Sequence, residues 1–174
     1  MPNWCGNQLI LRHSDKSKFE ALVNELHKGE DRVELFKHFR PRPTEEENWY
    51  SWNLTNWGTK WEASVHYSNI QDDEITIDFD TAWSPPVELY EHITKDGWEI
   101  EAAYSEPGMG FVGQFRASGT VVWDNDSYEW DYEGEEPFKH IPRELVEWAG
   151  LEDSLREYLE ENQYSLREYL EENQ

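Results

Sequence analysis

Apolar and polar residues alternate along several short stretches of this chain, and elsewhere apolar residues return every three to four positions. Asn7–Arg12 (NQLILR) reads as a first strand. Phe19, Leu22, Val23 and Leu26 then fall on one face of a helix, with Ser14 as its N-cap and Gly29 near its end. Leu35, Phe36 and Phe39 anchor a short segment before Pro41-Arg42-Pro43, and Glu45–Trp57 reads as a polar, Trp-rich loop. Ala63, Val65 and Tyr67 alternate as a half-buried strand does. Asn69–Glu74 makes a polar turn, and Ile75, Ile77 and Phe79 form the partner strand, with Thr81 and Trp83 on the same parity. Ser84-Pro85-Pro86 starts a second helix, with Ser84 as N-cap, a face of Val87, Tyr90 and Ile93, and an end at Asp96-Gly97. Trp98, Ile100, Ala102 and Tyr104 alternate next, then Phe111, Gly113 and Phe115 after a turn at Glu106-Pro107-Gly108; Val121-Val122-Trp123 extends the sheet.

The resulting order is β-α-β-β-α-β with at least one more strand. That is the ferredoxin-like, split βαβ pattern of an α+β protein: an antiparallel sheet with helices on one face. Three regions follow: a domain over 1–123, an acidic hairpin or loop over 124–141, and a C-terminal helical extension over 142–174. Tyr128, Trp130 and Tyr132 sit at period two within the acidic segment, as on one face of a strand. Pro142 marks a helix start, with Leu145 and Trp148 able to dock on the body. Ser154–Gln163 (SLREYLEENQ) recurs unchanged at Ser165–Gln174, a period of 11 residues and close to three helical turns. In a continuous helix Leu155, Tyr158 and Leu159 would share a stripe with Leu166, Tyr169 and Leu170, suited to self-association or to a partner helix.

Charge changes the picture most. The 174 residues carry 38 Asp and Glu against 15 Lys and Arg, a net of −23. The excess lies entirely after residue 42: 1–42 hold 8 bases and 6 acids, 43–174 hold 7 bases and 32 acids. Such a surface repels nucleic acid and anionic lipid and attracts basic surfaces, including grooves that hold DNA or RNA. Solubility alone is the plainer reading, but ordinary surfaces reach net charges of only about 2–8. With 10 Trp, 9 Tyr and 7 Phe the chain is no disordered acidic tail. No run approaches the roughly 18 apolar residues of a membrane span. Met1-Pro2-Asn3-Trp4 lacks the basic and apolar regions of a secretory signal, which predicts a cytoplasmic protein in its host cell. One cysteine, Cys5, excludes an internal disulfide.

Three Trp-containing motifs carry a family resemblance: Asn3-Trp4-Cys5-Gly6-Asn7, Asn56-Trp57-Gly58-Thr59-Lys60-Trp61 and Thr81-Ala82-Trp83-Ser84-Pro85-Pro86. In order and spacing the chain resembles the YubB or Api92-like ferredoxin-like domain over roughly residues 1–120. The resemblance implies an origin in a phage or conjugative plasmid and supplies no catalytic residue. Small acidic proteins of that origin often act against host defences, as nucleic-acid mimics or by blocking an enzyme's surface.

The residues offer two candidate sites. Asn56, Trp57, Lys60, Trp61 and Trp83 could form a pocket in which indoles stack on a small nucleotide-like ligand and Lys60 meets its anion, with Arg42 nearby. The structural alternative has the Trp rings plugging the end of the sheet. The acidic run Asp124, Asp126, Glu129, Asp131, Glu133, Glu135 and Glu136 is the candidate partner-binding surface, with Glu45–Glu47 and Asp72–Glu74 as secondary patches. Glu129, Asp131 and Glu133 at alternate positions of a strand would stand about as far apart as neighbouring phosphates. Asp124, Asp126 and Glu135 match positions 1, 3 and 12 of an EF-hand loop, but Tyr128 and Glu129 occupy positions that need a ligand and a glycine, so no metal or cofactor is expected. There is no HExxH, Walker loop, GxGxxG or GxSxG. The expected function is therefore a non-enzymatic counter-defence inhibitor of the anti-CRISPR or anti-restriction type. Its partner would be the basic surface of a host defence protein or ribonucleoprotein complex, with no direct nucleic-acid or membrane binding. The alternatives are ligand sequestration by the Trp pocket and assembly through the C-terminal helix.

Overall fold

A computed structural model describes residues 3–29, 32–119, 121–134 and 136–161. The order is β1 (Trp4–Arg12), α1 (Lys16–Leu26), α2 (Leu35–Phe39), α3 (Trp49–Trp57), β2 (Ser64–Ile70), β3 (Ile75–Ala82), α4 (Val87–Lys95), β4 (Glu99–Glu106), β5 (Phe111–Ser118), β6 (Val121–Glu129), α5 (Arg143–Trp148) and α6 (Leu151–Glu161). The strands form a six-stranded sheet in the order β2-β3-β1-β4-β5-β6, every pairing antiparallel. Strand β1 lies between β3 and β4, with α1 and α4 as the crossovers, which is the ferredoxin-like arrangement. Strands β5 and β6 prolong the sheet as a meander.

The period-two pattern decides which face is buried. Leu9 and Leu11, Ile75, Ile77 and Phe79, Ile100 and Ala102, and Phe115 and Ala117 point to one side and meet Leu22 of α1, Phe36 of α2, Trp57 of α3 and Leu89, Tyr90 and Ile93 of α4. Each large side chain so buried contributes about 1.5–3 kcal/mol. The intervening residues of opposite parity, Ala103 and Val112, belong to a second core. There Trp130, Ile141, Leu145, Val146 and Leu151 pack with Tyr128, Tyr132 and Phe138, so the C-terminal segment lies across the β4–β6 end of the other face.

Several local expectations change. The N-cap of α1 is Asp15, whose Oδ1 accepts from Ser17 N at 2.9 Å, one residue after Ser14. Residues 49–57 are a helix rather than a loop: Asn48 caps it and Gly58, at φ 83°, ends it in the left-handed conformation. Ser84 does not cap α4, since Pro86 holds that position without a side-chain bond and the Ser84 hydroxyl donates to Gly58 O instead. Strand β6 runs from Val121 to Glu129, so the boundary expected at 123/124 falls inside a strand. Trp130 and Tyr132 turn inward rather than decorating an exposed hairpin.

The C-terminal extension begins as expected after Pro142, but Gly150 (φ 62°) separates α5 from α6. The first copy of the repeat largely occupies α6, and its Leu155 and Leu159 are already buried. Tyr158 stacks on Tyr132 at 5.1 Å. The stripe of this copy is thus used within the chain. The second copy, Ser165–Gln174, lies outside the described residues.

Candidate binding surfaces

The three Trp motifs converge at one end of the sheet. Helix α3 stops at Gly58, where a Cβ would strike the Glu88 carboxylate. Beyond it, Thr59 is fully buried and its hydroxyl donates to Ala82 O at 2.9 Å. Asn53 Nδ2 donates to Lys60 O at 2.7 Å, and Ser84 Oγ to Gly58 O at 2.7 Å. From the N-terminus, Asn3 O accepts from Trp83 N at 3.0 Å. Small polar side chains and backbone groups thus stitch the three segments together. Trp83 itself holds φ 66°, the one positive-φ non-glycine residue among those described. A bulky side chain there costs on the order of 1–2 kcal/mol.

The stitching aims aromatic rings outward. Trp4, Trp61 and Trp83 are about two-fifths exposed, and Tyr50 of α3 joins them. Ring centroids of Trp61 and Trp83 lie 5.8 Å apart, and those of Trp4 and Trp61 6.4 Å apart. Lys60 Nζ lies 4.7 Å from the Trp61 ring, 5.1 Å from Trp83 and 5.6 Å from Tyr50, all within cation–π range. The predicted pocket is therefore divided. Lys60, Trp61 and Trp83 come together, whereas Trp57 is 1% exposed, packs on Phe36 and donates through Nε1 to Arg40 O at 2.9 Å. Asn56 bonds within the helix to Trp52 O. Arg42 reaches Asn53 Oδ1 at 3.1 Å and borders a shallow hollow of about 380 Å³ with Lys37, Trp49, Trp61 and Glu62. Burial raises the Glu62 pKa, although its carboxylate accepts from Phe36 N and Lys37 N at the start of α2.

The acidic run is dispersed. Asp124 and Asp126 stand on β6, opposite Arg116 and Gln114. The Asp124 side chain is 14% exposed and accepts from Gln114 Nε2 at 2.6 Å. Burial, together with a hydrogen bond to and repulsion from Asp126, raises its pKa, and Arg116 opposes the rise. Strand β6 ends at Glu129, so Glu129, Asp131 and Glu133 do not form the phosphate-spaced ladder. Asp131 accepts from Glu133 N in a turn, Glu133 accepts from Tyr158 OH, and Glu136 pairs with Lys139. Glu135 lies outside the described residues.

A different set of carboxylates shares one surface. By parity, Asp78 and Asp80 of β3, Glu99 and Glu101 of β4, and Asp124 and Asp126 of β6 all point to the sheet face away from α1–α4. Arg12 stands among them, bonding Glu74 at 2.5 Å and Glu101 at 2.7 Å and lying 3.4 Å from Glu99. Helix α5 borders this face, and a groove of about 170 Å³ runs between Gln8, Ile10, Glu101 and Arg116 on the sheet and Leu145 and Trp148 on the helix. The alternation of Asp and Glu with buried residues in β3 and β4 was the signal for this array, which a search for consecutive acids misses.

No curated protein sequence matches this chain. Residues 56–141 match the family model described as the ferredoxin-like domain in Api92-like protein. The match includes the acidic segment, beyond the expected limit near residue 120, and begins after the Asn3–Asn7 motif. Among solved structures, a protein Api92 from Yersinia pseudotuberculosis is similar at 21% identity and a TM-score of 0.43, over 55% of this chain and 39% of that one. Among the described residues, no helix is long and apolar enough to cross a membrane.

Proposed function

We propose that this chain, which belongs to the Api92-like family by its ferredoxin-like domain, is a non-enzymatic counter-defence inhibitor carried by a mobile element. It docks its acidic surface in the basic, nucleic-acid-binding groove of a host defence protein or ribonucleoprotein complex and excludes DNA or RNA. The observation that carries this reading is the carboxylate array on the sheet face away from α1–α4, which the C-terminal segment covers toward its β4–β6 end. Alternate residues of one strand stand about 6.6–6.8 Å apart, and every second strand about 9.5 Å away. Asp78 and Asp80 on β3 and Glu99 and Glu101 on β4 therefore stand at phosphate-like spacing along their strands, with Asp126 on β6; Arg12 on β1 pairs with the β4 carboxylates, and Arg116 on β5 faces the largely buried Asp124. A grid held by backbone pairing loses little entropy on binding, unlike charges on a loop. The contact surface accordingly centres on Asp78, Asp80, Glu99, Glu101 and Asp126.

The test is affinity capture from a defence-bearing bacterial lysate, at low and high salt, with the full chain and with a variant in which Asp78, Asp80, Glu99 and Asp126 become Asn or Gln. The expected result is salt-sensitive recovery of a nuclease or guide-RNA complex, competed by duplex oligonucleotide and lost in the variant. Undiminished recovery and inhibition by a folded variant would overturn the mimicry mechanism.

A further inference from the structure

The aromatic cluster around Lys60 takes no part in that mechanism. We propose that it is a receptor for a cationic side chain, an arginine guanidinium above all, and that Lys60 is its built-in occupant. Three ring faces, from Tyr50, Trp61 and Trp83, already converge on one cation, the Lys60 ammonium, at 4.7–5.6 Å. The negative faces of the rings make that position favourable for positive charge.

Three further observations point to a ligand from outside. The rings of Tyr50, Trp61 and Trp83 stay about two-fifths exposed where they gather around one cation, so this apolar area is presented rather than packed. Trp83 is held outward from a left-handed backbone position that indole side chains avoid, secured on either side by the bonds from Thr59 to Ala82 O and from Trp83 N to Asn3 O. The net charge of −23 gathers cations around the molecule and disfavours a phosphate-bearing ligand. Between cations, a guanidinium is planar and more weakly hydrated than an ammonium and stacks on indoles, so it can displace the flexible Lys60 arm. The site thus recognises an arginine side chain on a basic partner, through contacts separate from the carboxylate grid.

The experiment titrates the full chain with N-acetyl-arginine amide at constant ionic strength and follows the indole N–H resonances, assigned with single Trp→Phe variants. Neutral N-acetyl-norleucine amide and adenosine monophosphate are the comparison probes. The arginine amide is expected to shift the Trp61 and Trp83 indoles saturably. Lys60→Met is expected to tighten this binding severalfold by vacating the cage, and Trp83→Ala to weaken it severalfold. Trp83→Phe, which keeps a ring, should retain part of the binding and guards against a folding defect. The grid variant with Asn and Gln at positions 78, 80, 99 and 126 should still bind the amide, which separates this site's failure from failure of the mimicry mechanism. Equal shifts from the norleucine amide, no saturable shift, or nucleotide binding abolished by Lys60→Met would overturn the proposal; the last result would mark an anion site instead.

Discussion

Cys5 sits at the entry to β1 with no exposed surface, and its chemistry follows from that position. Burial pushes its thiol up to about 12; Glu106 and Asp80 add to the rise, while a hydrogen bond with Thr81 opposes it. The folded state therefore holds the proton more tightly than the unfolded chain does. The resulting stability is fully present below the unfolded value of 9.0 and is lost as pH rises from there through about 12. At neutral pH the native thiol is expected to resist a disulfide reagent that modifies guanidinium-unfolded protein completely, and Cys5→Ala should lessen the alkaline loss of stability. Prompt modification of the native protein would show that the entrance to β1 opens. At the same scale, the Asn56–Trp61 motif was legible as a convergence of residues but not in its directions. Trp57 is the last residue of a helix and keeps its inward heading, whereas Gly58 reverses the chain and sends Trp61 out. Tyr50 stands beside Lys60 because residues 49–57 form a helix, which their largely polar sequence does not signal.

Elements were readable where burial imposed a simple period. Strands β1, β3, β4 and β5 bury alternate residues, so their hydrophobic pattern repeats the pleat. Helix α3 hides because its fully buried positions are Asn53 and Trp57, a polar residue satisfied by Lys60 O and an indole, within a run that otherwise reads as polar. The second core was invisible for another reason: it brings β5, the turn after β6 and α5 together through tertiary packing, which no local period encodes. Helix α6 offers the sharpest test at this scale. Its Leu159 is 4% exposed in the single chain, so Leu159→Ala is expected to cost about 2–5 kcal/mol in denaturant unfolding. If the first repeat copy instead presented a free association stripe, the same substitution would leave monomer stability unchanged and shift the sedimentation of the protein.

At the scale of the whole molecule, the fold must tolerate its own field. Fifteen bases can neutralise at most 15 of 38 carboxylates, and several of those bases serve particular clusters, as Arg12 does with Glu74, Glu99 and Glu101. The remaining charge repels itself most strongly when the chain is compact, so folding pulls against a long-range cost. Raising monovalent salt shortens the screening length from about 30 Å at 0.01 M to about 8 Å at 0.15 M, which weakens distant repulsion more than short contacts such as the 2.7 Å Arg12–Glu101 pair. The melting temperature is therefore expected to rise over that range, and to rise less in the variant neutralised at Asp78, Asp80, Glu99 and Asp126. Thermal unfolding monitored by near-ultraviolet circular dichroism would check both. A fall with salt would mean that local ion pairs outweigh the global repulsion, and the charge would then be a stabilising network rather than a cost. A rise would leave the acid excess as a burden on folding that the proposed basic partner would relieve, because each carboxylate meeting a partner cation would remove repulsion that the free protein bears.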